Sequence, residues 1–138
     1  MQTHIHPDLV GRPEITEADE ILRSCVHCGF CTATCPTYQL LGDELDGPRG
    51  RIYLIKNLLE DNAISAKSVD HLDRCLTCRA CETTCPSGVR YGRLLDIGKG
   101  LVTEKLIKPN VIRRLVIGAL RFVVPKAALF GPMLRLGQ

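Results

Sequence analysis

Apolar residues recur along this chain at helical spacing. The clearest case is Ile52, Ile55, Leu58 and Leu59 on one side, with Lys56, Asn57, Glu60 and Asp61 on the other. Pro48, which follows Asp43, Glu44, Asp46 and Gly47, suits the first position of that helix, where its missing N–H costs nothing. Ser65 is placed to cap a second helix, with Val69, Leu72 and Leu76 expected inside. Upstream, Thr16 is expected to cap a short helix running through Leu22, with Glu17, Asp19 and Glu20 near its positive end. Downstream, Leu94, Ile97 and Leu101 share a face. Gly98 and Gly100 weaken that helix by roughly 1 kcal/mol each and are expected to allow close approach to a neighbour. From Thr37 to Arg74 no alternating apolar–polar run competes, so the expected fold is all-α.

The last thirty residues change character. Pro109 to Gln138 carry Arg113, Arg114, Arg121, Lys126 and Arg135 and no acid. On a helical projection Val111, Ile112, Leu115, Val116, Ala119, Leu120 and Val123 share a side. Arg113, Arg114 and Arg121 share the other, with Ile117 intruding, and Pro125 and Pro132 interrupt the remainder of the tail. Such a basic amphipathic tail suits either an anionic membrane surface or packing on a further domain or subunit, and the second reading is preferred.

Composition narrows the picture. A length of 138 residues bounds one domain with a small appendage, and 4% aromatics with no Trp imply an aliphatic core. Met1–Pro13 holds His4, His6, Asp8 and Arg12 and no apolar stretch of the kind a secretory signal needs. No uncharged apolar run approaches the roughly 18 residues of a spanning helix.

The chemistry lies in the cysteines. All eight fall in two runs, Cys25-Val-His-Cys28-Gly-Phe-Cys31-Thr-Ala-Thr-Cys35-Pro36 and Cys75-Leu-Thr-Cys78-Arg-Ala-Cys81-Glu-Thr-Thr-Cys85-Pro86. Each reads C-x2-C-x2-C-x3-C-P, the run that holds cubane iron–sulfur clusters, with the fourth cysteine ligating the other cluster. The reading is two [4Fe–4S] clusters with crossed ligation. Cys25, Cys28, Cys31 and Cys85 hold one; Cys75, Cys78, Cys81 and Cys35 hold the other. Structural zinc favours two pairs a dozen or more residues apart, a disulfide framework suits small secreted chains, and a thioredoxin-like pair needs a βαβ context. His4, His6 and His27 read as surface or locally hydrogen-bonded residues, because the thiolates already fill every ligand place. Each oxidised cubane with four thiolates carries about −2, which takes the formal +3 to about −1 and leaves no case for nucleic-acid binding. Thiolate ligation needs a reducing compartment, so the expected location is cytoplasmic.

The two runs differ beside the second cysteine, where Gly29 in the first is answered by Arg79 in the second. Gly29 is expected to supply a backbone conformation that side chains resist; Arg79 reads as solvated rather than as a cluster-tuning cation. The likeness extends outward, since Leu22 and Leu72 each stand three residues before their run and Thr34-Cys35-Pro36 is echoed by Thr84-Cys85-Pro86. Two similar halves about a pseudo-twofold axis are expected, as an α-helical ferredoxin with two clusters side by side.

These runs, together with Gly42-Asp-Glu-Leu-Asp-Gly-Pro-Arg-Gly-Arg-Ile52, resemble the iron–sulfur subunits of bacterial glycolate oxidase over roughly residues 16–105. The cysteine runs are shared with subunits of succinate, fumarate and anaerobic glycerol-3-phosphate oxidation; the Gly42–Ile52 segment narrows the choice. The resemblance implies partner subunits that bear flavin and oxidise glycolate, with this chain passing electrons singly toward a membrane quinone or similar carrier. It also implies a cytoplasmic chain, or one peripheral on the inner membrane, with no catalytic residue of its own. Family members are longer and carry cysteine-rich repeats beyond this point. The expected plan is therefore an extension over 1–15, a two-cluster domain over 16–108, and a basic tail over 109–138 that links to a missing region. Two alternatives stand beside it: a subunit acting with another 2-hydroxy acid or glycerol-3-phosphate dehydrogenase, and a module in which metal merely holds a docking surface.

Overall fold

The computed structural model describes residues 1–106, 111–126, 130, 131 and 135. Among the described residues there are helices and short 3-10 turns and no strand. In chain order the helices are α1 (Pro13–Ser24), α2 (Pro36–Leu41), α3 (Pro48–Asp61), α4 (Ala66–Asp73), α5 (Ala80–Thr83), α6 (Tyr91–Leu106) and α7 (Val111–Val123). The all-α expectation is met.

Most helix starts follow the capping chemistry. Helix α3 begins on Pro48, and the Ser65 hydroxyl caps α4 by accepting the Ser68 N–H at 3.1 Å. Helix α1 departs from expectation. It starts at Pro13 rather than behind a Thr16 cap, because a proline with φ already fixed forms the first turn without losing a donor. The Thr16 hydroxyl donates instead to the Arg12 carbonyl at 3.4 Å.

Contacts divide the chain into two units, Met1–Thr103 and Glu104–Gln138. In the first, Leu22 of α1, Ile55, Leu58 and Leu59 of α3, Leu72 of α4 and Leu94 and Leu95 of α6 form one closed aliphatic core. Truncating such a side chain to Ala costs about 2–5 kcal/mol. Residues ahead of α1 pack into this unit: the His6 N–H donates to the Leu59 carbonyl at 2.9 Å, and Leu9 is buried. Ile97 and Leu101 are buried as expected. Gly98 does mark a helix crossing, since a Cβ there would lie 2.8 Å from Ile55 Cγ1, whereas one at Gly100 would meet nothing. Leu76 is a correction. It is 65% exposed, because α4 ends at Asp73 and the following loop carries it outward.

In the second unit α7 stops just before Pro125, and Leu115, Val116 and Leu120 are exposed. Lys126 sits 3.4 Å over the Phe122 ring. Pro109, Pro132 and the side chains of Val111, Ile112, Arg113 and Arg114 lie outside the described residues. Among the described residues no helix is long and apolar enough to cross a membrane.

Candidate metal centres

The two cysteine runs fold as near copies. As α1 ends, the Cys25 N–H donates to the Leu22 carbonyl at 3.1 Å; after α4 the Cys75 N–H donates to Leu72 at 3.3 Å. The residues flanking the middle cysteine then take left-handed backbone: His27 (φ 55°) and Gly29 (φ 84°) around Cys28, Thr77 (φ 54°) and Arg79 (φ 58°) around Cys78. Alternation of this kind turns successive N–H groups to one side, forming a concavity suited to negative charge. Each run closes with a turn. Cys35 N–H reaches the Thr32 carbonyl at 3.2 Å, and Cys85 N–H reaches Glu82 at 3.2 Å. Gly29 thus has the conformation expected of it, and Arg79 adopts the same one at the strain cost of a side chain.

Two cavities result. The first is lined by Cys25, Cys28, Cys31, Cys81 and Cys85; the second by Cys35, Cys75, Cys78 and Cys81. Each cavity gathers three cysteines of one run and the last cysteine of the other, and Cys81 lines both. All eight are free thiols. Burial, then the neighbouring Cys31, Cys75 and Cys35, pushes the Cys81 thiol up to about 12, and burial likewise raises Cys31. Thiols gathered with no carboxylate among the described lining residues suit a soft, polynuclear iron centre, whose positive charge would favour the thiolate form. The residues present fit two such clusters.

The surroundings of the two cavities differ. Beside the second, the Tyr91 hydroxyl donates to Cys75 Sγ at 3.5 Å and the Thr37 hydroxyl lies 3.2 Å from Cys35 Sγ. Burial, reinforced by Cys75, raises the Tyr91 pKa and keeps the phenol protonated. Arg51, only 1% exposed, lines this cavity. Its Nε donates to the His71 carbonyl at 2.7 Å and its Nη1 to the Thr37 hydroxyl at 3.1 Å. Buried Asp46 anchors the group, 3.1 Å from His71 Nδ1, 3.1 Å from Arg74 Nη1 and 3.5 Å from Arg51 Nη2. Burial acts to raise the Asp46 pKa, but hydrogen bonds from His71 and Arg74 outweigh it and hold the carboxyl below its usual value. Around the first cavity the neighbours are largely apolar, Pro48, Ile52 and Val89 among them. Its cation, Arg49, is 39% exposed and tied to Glu44 at 2.9 Å.

Sequence reading missed Thr37, Asp46, Arg51, His71 and Tyr91. Asp46 and Arg51 fell inside a segment that had drawn notice, Gly42–Ile52, and Thr37 directly follows the first cysteine run. The histidine reading fares better. His27 Nε2 is 3.0 Å from Met1 Sδ and its ring meets Tyr53 edge-on, while burial lowers its pKa and favours the neutral ring. His6 accepts the Asp8 N–H. Arg79 is exposed, as a solvated residue should be, but it also borders the second cavity. Cys28 and Cys78 are exposed at the tips of their loops, beside exposed Val26, Phe30 and Leu76.

Comparison with known proteins agrees with this chemistry. Residues 21–89 match the 4Fe-4S dicluster domain. Over 137 residues, 99% of the chain, it is 60% identical to the glycolate oxidase iron-sulfur subunit of Escherichia coli (strain K12), of which it covers 33%. It is 45% identical over 85 residues to the probable glycolate oxidase iron-sulfur subunit of Bacillus subtilis (strain 168), covering 60% of this chain and 19% of that protein. The chain thus spans about a third of the length of the first relative. No solved structure matches it. With eight cysteines gathered around two cavities and half its length in register with this domain, the chain belongs to the 4Fe-4S dicluster family.

Proposed function

We propose that this chain is the two-cluster electron carrier of a flavin-dependent glycolate-oxidising complex. One observation carries the reading: two adjoining cavities, each lined by cysteines drawn from both runs, with an exposed cysteine at each. Cys25, Cys28, Cys31 and Cys85 would hold one cluster, and Cys35, Cys75, Cys78 and Cys81 the other. When bound, such clusters accept and release single electrons, which lets them drain a two-electron donor such as reduced flavin stepwise. The chain's own part is to fix the thiolates, exclude bulk water from the buried Cys25, Cys35 and Cys81, and present Cys28 and Cys78 to partners.

Substrate and partners follow from the relatives' names, which supports glycolate as the reductant and separate flavin-bearing subunits as donors. We place the cluster-bearing segment at 16–108 and read 109–138 as a link toward a further region. A membrane quinone or similar carrier as acceptor, reached from a cytoplasmic or peripheral position, completes the proposal. Anaerobic reconstitution with iron and sulfide tests it. About eight irons per chain and two interacting reduced cubane signals at low temperature are expected. Tight binding of two zinc ions, with no paramagnetic signal after iron loading, would sink it in favour of a structural module. Glycolate-dependent reduction of the loaded chain should require added flavin-bearing partner and fail without it.

A further inference from the structure

We propose that the two centres differ in reduction potential, the one at Cys35, Cys75 and Cys78 being the higher, and that the Tyr91 phenol sets much of the difference. The inference rests on the two-cluster reading above. Reduction adds one electron, and its charge spreads onto the thiolate sulfurs. Hydrogen bonds to those sulfurs and nearby positive charge stabilise the reduced form.

The structure distributes such groups unevenly. Tyr91, 4% exposed, lines both cavities but gives its hydroxyl to one sulfur, Cys75 Sγ at 3.5 Å. On the same side the Thr37 hydroxyl, 3.2 Å from Cys35 Sγ, gives its proton to the Asp46 carbonyl at 2.8 Å and accepts from Arg51 Nη1 at 3.1 Å, which holds the guanidinium at this cavity. The Arg51 guanidinium, 1% exposed, lines this cavity. The Asp46 carboxylate that faces it stands 3.5 Å from Arg51 Nη2 and makes its closer contacts, at 3.1 Å, to His71 and Arg74, so it offsets the Arg51 charge only in part. Toward the first centre the described residues offer one sulfur contact outside the thiols, the Val89 N–H to Cys85 Sγ at 3.5 Å. Arg49, its side chain 39% exposed, is compensated by Glu44, so solvent and the partner screen it. In the half-reduced protein the electron therefore rests on the Cys75 side. The Cys28 loop becomes the entry face and the Cys78 loop the exit face. Tyr91 acts here as a positioning residue, touching a ligand sulfur and not the substrate.

The test is a potentiometric titration of the full 138-residue chain, loaded anaerobically and followed by low-temperature EPR, for the wild type, Tyr91→Phe and Thr37→Val. The wild type should show two waves. Tyr91→Phe should lower the upper wave by about tenfold in the reduction constant, about 59 mV for a one-electron couple, and leave the lower wave within about twofold. Thr37→Val should move the same wave in the same direction. Movement of the lower wave alone, of neither wave, or a single unresolved wave in the wild type overturns the inference while leaving two loaded clusters intact. Should Tyr91→Phe fail to load, Thr37→Val decides by the same criteria. A wild type that binds fewer than two clusters overturns the underlying reading instead, and the iron count tells the two failures apart.

Discussion

Thr34 and Thr84, fifty positions apart, meet hydroxyl to hydroxyl at 3.3 Å. Each also lies within reach of its own run, Thr34 3.3 Å from the Cys31 carbonyl and Thr84 3.4 Å from the Cys81 carbonyl, so each hydroxyl shares its one proton between a carbonyl and its partner. Equivalent residues in mutual contact are what a twofold relationship produces, so this pair marks the local axis between the two halves. Thr34 crosses that axis as well, toward the Ala80 carbonyl at 3.4 Å. The pair clamps together the two turns that send Cys35 and Cys85 into opposite cavities.

Loss of either hydroxyl should loosen the clamp. Thr34→Val and Thr84→Val are each expected to cost about 1 kcal/mol. That corresponds to a fall on the order of 4 °C in the midpoint of thermal bleaching of the loaded chain. The double variant should cost less than the two singles together, because both remove one shared contact. Strict additivity would mean the hydroxyls act separately.

Crossed ligation makes a sharper claim. Cys35→Ser should abolish the centre lined by Cys75, Cys78 and Cys81 and leave the first largely intact; Cys85→Ser should do the reverse. Iron counting with EPR separates these outcomes. Loss of the first run's centre in Cys35→Ser would refute the crossing.

What was legible in the sequence was local. Pro48, Ser65 and the Ile52–Leu59 face follow from capping and periodicity over a few residues, and they stand as read. Thr16 misled because a proline three residues upstream starts the helix better than a hydroxyl does. Leu76 continued an apolar periodicity past Asp73, where the helix had already stopped for the cysteine loop. The left-handed backbone at His27, Thr77 and Arg79 has no signature in those residue types; only Gly29 announces it. The Asp46, Arg51 and His71 group is assembled from three segments, and no local pattern says that a charge will be buried.

Asp46 is the keystone of that group. Asp46→Asn leaves Arg51 buried without its counter-charge and should destabilise the loaded chain by about 3–5 kcal/mol at neutral pH. The folded carboxyl is held below its unfolded value. Its contribution is therefore complete above the unfolded value, about 3.9, and disappears as pH falls through the folded one. Wild type and Asp46→Asn should accordingly converge below about pH 4, as read by denaturant unfolding under far-UV circular dichroism. A gap that stayed constant with pH would assign the loss to packing.

Gly50 answers to the backbone. A Cβ at this position would lie 2.0 Å from the Glu44 carbonyl oxygen, which no side-chain rearrangement relieves. Gly50→Ala should therefore cost about 3 kcal/mol or more. It should also pull the Glu44–Asp46 turn away from the second cavity, with loss of Asp46 from its arginines. Soluble expression with unchanged iron content would show that the turn gives way cheaply.

Removing the metal should make the chain sensitive to alkali. In the iron-free protein Cys81 is a buried thiol pushed up to about 12, first by burial and then by its cysteine neighbours. In the unfolded chain the same thiol ionises near 8.5. A folded pKa raised in this way gives stability that is full below about pH 8.5 and drains away as pH climbs toward 12. The iron-free chain should therefore unfold at falling denaturant concentration from about pH 9 upward, and Cys81→Ala should flatten that slope. The loaded chain, whose sulfurs would already be thiolates on a metal, has no such proton to lose and should show little dependence there. An iron-free chain equally stable at pH 8 and pH 10 would mean that Cys81 is not held protonated by the fold, and the burial argument for this cavity would fail with it.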